Sequence, residues 1–320
     1  MSENVFHRAI YLTGPTASGK TAVGVALARL LDAEVVALDS MTLYRGMDIA
    51  TAKPSVAERG GIPHHLIDVI DPWESASVRA YRDWAEKAAA EIEARGKRIL
   101  FVGGTPLYLK ALLRGLFHGP GADRDFRLRL EHDAAEHGDD ALHRRLAALD
   151  PRAAARIHPH DRRRIVRALE VLELTGRPIS ELQAEHDRPA PPGVPVIALE
   201  LPRASLHQRI NQRVVQFLDA GLVEEVRALQ AAPQPMCSVA AQAIGYREVI
   251  VMLAGEASLS QTIEQVQART RQFAKRQATW FRGLEEVRSL AVAPEEGAQA
   301  IASLLLPRIL ATTNLARSTT

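Results

Sequence analysis

Cysteine is nearly absent: Cys237 is the one example in 320 residues. A lone thiol excludes an intramolecular disulfide framework and any cysteine-based zinc cluster. Long apolar runs are missing, and none approaches the length needed to span a bilayer. The opening MSENVFHRAIYLTG carries no secretory signal pattern and leads straight into an expected strand. Aromatics are scarce at 5%, and the net charge is only +2. A nucleic-acid partner therefore requires the basic residues to cluster. What the chain has in quantity is apolar residues, 47%, and charged residues, 24%, the composition of a soluble globular protein with a real core. The length suits one large domain or two smaller ones, and the expected location is the cytoplasm. The basic residues are nearly all arginine, which suits planar two-point contacts with phosphate. A GC-rich genome gives the same bias.

Residues 14–21 read GPTASGKT, matching the phosphate-binding loop G-x-x-x-x-G-K-[ST]. The apolar run before it, Arg8–Thr13, reads as a buried strand, and TAVGVALARLL after it reads as a helix. Strand, glycine loop and helix is the setting in which backbone N–H groups cradle phosphate and the helix N-terminus favours an anion. Gly14, Pro15, Thr16, Ala17, Ser18, Gly19, Lys20 and Thr21 are the candidate ligands of a diphosphate or triphosphate. Lys20 is expected on the distal phosphate, and the Thr21 hydroxyl on Mg²⁺ or a phosphate oxygen.

Further strands are expected at Glu34–Leu38, Arg98–Val102 and Val196–Leu201, with an Ala-rich amphipathic helix over Val78–Arg95. Alternation of this kind predicts an α/β fold: a P-loop NTPase-like parallel sheet covered by helices. After Gly115 the texture becomes helical and heavily charged, until RPAPPGVP (Arg188–Pro195) marks a linker. Residues 1–115 and 190–310 are thus expected to form the core with C-terminal helices, residues 116–189 an inserted helical domain, and residues 311–320 a disordered tail.

An ATPase or GTPase usually supplies an aspartate for Mg²⁺ at the end of a second strand. Here RILFV ends instead in Gly103-Gly104-Thr105. The carboxylate follows the preceding strand, at Asp39. Its position at the C-terminal edge of the sheet aims it at a pocket; an N-cap or turn role is the plainer alternative. GGTPLYL is equally a second ligand loop or a simple helix start. Two basic runs stand out. In HPHDRRRIVRALEV, Arg163, Arg164 and Arg167 share a helix face. In RTRQFAKRQATWFR, five basic residues occur without an acid, with Arg271, Lys275 and Arg282 on one face. Each run is either a solvated helix face or an RNA-phosphate surface. His64-His65 and His158-Pro159-His160 lack the spacing of a zinc site.

GPTASGKT, DSMTLYRGMDIATAKP, GGTPLYL, HPHDRRRIVRALEV, QAIGYREV and RQFAKRQATWFR occur in this order. The chain thereby resembles the tRNA dimethylallyltransferases, also called tRNA isopentenyltransferases, from the N-terminus to about residue 283. The resemblance implies transfer of the five-carbon group of dimethylallyl diphosphate to N6 of adenosine 37, in tRNAs reading codons that start with U, with release of diphosphate. It implies Asp39 as general base and Lys20, Thr21 and Arg213 around the diphosphate, with Arg209 as the nearby alternative to Arg213. It implies Mg²⁺ as cofactor, bound at Thr21, and a monomer acting on the tRNA anticodon stem-loop, with no membrane partner. It implies tRNA contacts at Asp39, Ser40, Met41 and Thr42, at Thr105 and Arg127, and at Arg163, Arg164, Ile165, Val166 and Arg167. Further implied contacts are Gln242, Ala243, Ile244, Gly245, Tyr246 and Arg247, then Lys275, Arg276, Gln277, Ala278, Thr279, Trp280, Phe281 and Arg282. Thr42 stands where many relatives carry Gln, and Ala50 where Gly is usual. Without cysteines for a zinc finger, the chain resembles the bacterial form. A prenyltransferase of free adenine nucleotides and a P-loop kinase remain the competing activities.

Overall fold

The strand Ile10–Thr13 (β1) is buried at every position, as a strand must be when helices cover both faces of its sheet. The computed structural model describes residues 4–117, 119–186 and 188–317. Its sheet adds Ala33–Ala37 (β2), His64–His65 (β3), Arg98–Val102 (β4), Val196–Glu200 (β5) and Val287–Ala291 (β6). The order is β3-β2-β4-β1-β5-β6, and every pairing is parallel.

Helices of the sheet unit are α1 (Lys20–Leu31), α2 (Val56–Arg59), α3 (Val78–Ala94) and α4 (Pro106–Arg114). In the inserted segment follow α5 (Arg124–His137), α6 (Asp139–Leu149), α7 (Pro151–Ala154), α8 (Arg162–Thr175) and α9 (Ile179–His186). The chain then forms α10 (Arg203–Asp219), α11 (Leu222–Gln230), α12 (Ser238–Ala241), α13 (Tyr246–Leu253), α14 (Leu259–Arg282) and α15 (Ala298–Arg317). The residues divide into two units: those up to Leu113 with those from Ala190, and Arg114–Pro189.

In the sheet unit, one core lies between the sheet and α1 with α15, built from residues such as Leu12, Leu27, Leu199 and Leu305. The other face carries Tyr11, Phe101, Tyr81, Leu109 and Tyr246, with the Tyr11 and Phe101 rings stacked at 5.0 Å. The helical unit has its own core, including Phe126, Leu146, Ile165 and Leu169.

Several expectations need correction. A 3-10 turn, Val5–His7, precedes β1, so the chain does not enter the strand directly. Strand β6 carries exposed Arg and Ser and has no apolar pattern; pairing with β5 makes it a strand. Strand β3 is the His64-His65 pair. Its His65 Nε2 lies 2.6 Å from the Glu34 carboxylate, which also pairs with Arg95. The expected disordered tail at 311–320 is instead helical as far as Arg317. A run without glycine continues α15 there, and the Thr312 hydroxyl bonds back to the Arg308 carbonyl at 2.8 Å. Residues 318–320 lie outside the described residues. No helix among the described residues is long and apolar enough to cross a membrane.

Candidate active site

Three loops leave the carboxyl ends of the adjacent strands β2, β4 and β1, where open α/β sheets bind ligands. The first is GPTASGKT. Gly14 has φ 137°, and a side chain there would meet the Leu199 carbonyl at 2.6 Å. Ala17 is held at φ 63°, a left-handed conformation that costs a non-glycine residue energy and clusters at functional sites. Gly19 caps α1 without a side-chain hydrogen bond, and the first helical bond is Val23 N to Gly19 O at 3.2 Å. The N–H groups of Lys20, Thr21 and Ala22 are therefore directed at whatever anion occupies the loop. Lys20 Nζ donates to the Pro15 carbonyl at 2.7 Å. Of the eight candidate ligands, Thr16, Ala17, Gly19, Lys20 and Thr21 line a cavity of about 490 Å³. Gly14, Pro15 and Ser18 do not; they are buried and shape the loop.

The second loop follows β2. Asp39 Oδ1 accepts from Met41 N at 2.9 Å, and the Thr42 hydroxyl lies 3.3 Å from the Asp39 carbonyl. Asp39 is thus both the turn residue and a pocket carboxylate; the two roles coincide. Burial raises its pKa, opposed by the Met41 N–H and by Lys20. A carboxylate raised in this way is a better proton acceptor when ionised. Burial pulls Lys20 down to about 8, with Asp39 opposing and Arg213 reinforcing the shift.

The third loop follows β4. A side chain at Gly103 would collide with the Leu38 carbonyl at 2.2 Å, so glycine is required for β2 and β4 to lie this close. The Thr105 hydroxyl accepts from Ser40 N at 3.1 Å, locking the third loop to the Asp39 turn. Thr105 starts α4, its carbonyl accepting from Tyr108 N and Leu109 N, and also lines the second cavity.

Arg213, on α10, completes the centre. Its guanidinium lies 5.7 Å from the Phe217 ring centroid, and burial lowers its pKa against the opposing Glu58. Arg209 donates to the Pro294 carbonyl at 2.6 Å and lines neither cavity described here. This favours Arg213 over Arg209.

Lys20, Asp39 and Arg213 form the common wall of two cavities. The first, with Thr21, Thr42, Glu58 and His64, includes the N-terminus of α1. The second, about 380 Å³, includes Ser40, Met41, Thr105, Gln242, Ala243, Ile244, Phe273, Arg276 and Gln277. Glu58 and Phe217 had no motif to announce them. Nor did the braces. Glu225 accepts from the N–H groups of Asp48 and Ile49 and from the Tyr246 hydroxyl. Lys53, its side chain 4% exposed, pairs with Asp48 and Asp68 and holds the loop that carries Thr51 and Ala52 to the cavities.

Several candidate RNA contacts are not available as surface side chains. Ala243 and Tyr246 are buried, and Gly245, at φ 94°, would clash with Ala50 Cβ if it bore a side chain. Gln242 and Arg247 are exposed. Along α14, Lys275, Arg276, Thr279, Trp280 and Arg282 are exposed and Ala278 is half-buried, while Gln277 and Phe281 are buried. The helical spacing of a stretch that packs on one side requires this split.

In the helical unit, Ile165 and Val166 belong to the core. Arg127 and Arg167 both bind Glu170, which is fully buried, at 2.7 and 2.5 Å. Arg164 pairs with Asp161 at 3.2 Å. Arg163 is exposed. The expected arginine face is therefore partly internal.

Phosphate loop, half-buried aspartate and two adjoining cavities define a P-loop-type α/β protein in which the loop's cavity shares a wall with a second one. Comparisons sharpen that class. The family model described as IPP transferase matches residues 42–284, and a second, isopentenyl transferase, matches residues 7–68. The chain is 48% identical to a tRNA dimethylallyltransferase of Geobacter metallireducens over 90% of this chain and 93% of that protein. A second such protein, from Geobacter sulfurreducens, is 49% identical over 85% of this chain and 88% of the relative. Among solved structures, the tRNA isopentenylpyrophosphate transferase of Bacillus halodurans superposes with a TM-score of 0.71 at 38% identity, covering 97% of this chain and 99% of that one. A eukaryotic dimethylallyltransferase described as acting on tRNA superposes with a TM-score of 0.76 at 27% identity, over 97% and 79% of the two chains. The chain belongs to the IPP transferase family.

Proposed function

We propose that this protein transfers the dimethylallyl group of dimethylallyl diphosphate to N6 of adenosine 37 in tRNAs reading codons that start with U. The observation that carries this reading is the placement of Asp39, Lys20 and Arg213 on the common wall of two cavities. One cavity takes a diphosphate at the N-terminus of α1. The other admits an adenine turned out of its stack.

An exocyclic amine is a weak nucleophile, so the reaction needs a base within reach. The amine nitrogen attacks the first carbon of the allyl group while the carbon–oxygen bond to diphosphate breaks. The electron pair of that bond leaves with the diphosphate. Asp39 accepts the proton released by the amine. Lys20, Arg213 and the free N–H groups of α1 stabilise the charge that builds on the leaving group.

Mg²⁺ fits the donor set. Thr21 presents a hydroxyl to the first cavity, and among the described residues no cluster of three His, Cys, Asp or Glu side chains is placed to bind an ion by itself. Thr21 would hold the ion together with the bound diphosphate. When bound, it supplies further neutralisation of the diphosphate charge. We further propose a cytoplasmic monomer.

The test is transfer of labelled allyl group to unmodified tRNA bearing A36-A37-A38, with AMP in a parallel reaction. Label at A37 of wild-type reactions, absent with Asp39→Ala, is the expected outcome. Label on AMP alone would overturn the choice of acceptor, and phosphoryl transfer from ATP would point to a kinase.

A further inference from the structure

Gln277 is 3% exposed, and both ends of its amide are engaged. Its Oε1 accepts from the backbone N–H of Thr16, in the phosphate loop, at 2.8 Å. Its Nε2 donates to the carbonyl of Gly104, in the third loop, at 2.6 Å. One side chain thus joins α14 to two of the three loops that build the site. Gly104 fits the arrangement closely: a Cβ there would lie 2.5 Å from Gln277 Nε2. Elsewhere on α14, Lys275, Arg276, Thr279 and Trp280 are exposed, with Lys275 and Thr279 on the side turned away from Gln277.

The bond to Thr16 has a chemical consequence. In a phosphate loop the backbone N–H groups are the ligands. Gln277 removes the Thr16 N–H from that set and fixes the direction of the peptide plane beside it. Within the loop itself the Pro15 carbonyl accepts from Ser18 N at 3.3 Å and from Lys20 Nζ at 2.7 Å, and Ala17 sits at positive φ. A strained loop persists when its surroundings determine it. The amide of Gln277 supplies a long-range hydrogen bond to that loop from outside its own strand and helix.

We infer that Gln277 is a positioning residue: it sets the conformation of the diphosphate loop from the RNA-facing helix. The choice of diphosphate and RNA as ligands rests on the proposed function. Removal of the amide leaves the Thr16 N–H and the Gly104 carbonyl without their partner, and the loop loses its preorganised shape.

The test uses the full-length protein with Gln277→Met, Gly104→Ala and the double variant. Calorimetric titration with inorganic diphosphate and Mg²⁺ reads the loop without requiring any transfer. Steady-state kinetics then separate KM for dimethylallyl diphosphate from KM for tRNA. Gln277→Met is expected to weaken diphosphate binding about tenfold, the scale of one lost buried hydrogen-bond network. KM for the allyl substrate should rise in parallel, with KM for tRNA and the melting temperature little changed. Gly104→Ala pushes the amide aside from the other end, so it should weaken diphosphate by itself and add little to Gln277→Met. Wild-type diphosphate affinity in either single variant would overturn the inference. So would a raised KM for tRNA alone, which would make Gln277 a direct RNA contact, or full additivity of the pair. If Gln277→Met fails to fold, Gly104→Ala decides alone. A wild-type protein that binds diphosphate but transfers no allyl group would sink the functional proposal while the titrations still judge the brace.

Discussion

Helices α8 and α14 look alike in sequence, each an arginine-rich amphipathic stretch, yet the structure uses them differently. In α8 the arginines are largely engaged within their own unit. Arg162 pairs with Asp139 at 2.5 Å, Arg164 with Asp161, and Arg167 with Glu170. Arg163 alone among 162, 163, 164 and 167 has no carboxylate partner among the described residues. In α14, Arg269 lines the second cavity and pairs with Glu248, but Lys275 and Arg276 are exposed and form no ion pair among the described residues, Arg276 lying 5.9 Å from the Phe273 ring centroid. Equal charge patterns therefore carry unequal capacity to bind phosphate. A guanidinium already held by a carboxylate offers fewer donors and less net charge.

The largest effect marks the contrast between chemistry and binding. Asp39→Ala should lower kcat by at least about a hundredfold, the usual worth of a general base, with tRNA affinity retained in a filter-binding assay. Near-normal turnover would remove Asp39 from the base role. Next, Lys275→Ala combined with Arg276→Ala should weaken tRNA binding and reduce the slope of log affinity against log salt by about 2, one per phosphate contact. A slope left at the wild-type value would make α14 a solvated face and erase its difference from α8.

For α8, Arg167→Ala should act on stability first. It leaves the buried Glu170 with one arginine fewer, a loss of about 1–3 kcal/mol readable in urea unfolding of the whole chain. Acid offers a check without mutation. Burial would raise the Glu170 pKa, but Arg127 and Arg167 outweigh it and hold the carboxyl down to about 2. A depressed carboxylate contributes stability above its unfolded value, near 4.5, and loses it as pH falls toward 2. Wild type should therefore lose helicity over that window, and Arg167→Ala should begin at higher pH. Coincident acid transitions would deny the cluster its structural role. The smallest effect belongs to Arg163→Ala: a salt slope reduced by about 1 with unchanged stability. A melting-temperature drop in place of a slope change would place Arg163 with its neighbours in the fold.

The sheet core was legible because buried parallel strands are short apolar runs, as at Ile10–Thr13 and Val196–Glu200. Strand β6 was not, because an exposed edge strand keeps polar residues and is defined by its partner. At the site, GPTASGKT and Asp39 could be read directly, since phosphate loops and strand-end carboxylates depend on local spacing. Gln277 was included among RNA contacts on the strength of the family resemblance, and only its burial and its bonds to Thr16 and Gly104 reveal another role.

By itself, then, the amino-acid order determined the strand–loop–helix of the phosphate-loop motif, the carboxylate placed after β2, and the two basic helices. Each depends on residues close together in the chain, whose backbone geometry follows from local sterics and hydrogen bonding. Tertiary structure alone decided which arginines face solvent, that Arg213 and not Arg209 lines the cavities, and that one glutamine ties three distant segments together. Those outcomes depend on which groups remain unpaired after long-range packing. Burial makes an unpaired polar group costly, so the fold assigns partners that no spacing in the sequence could announce.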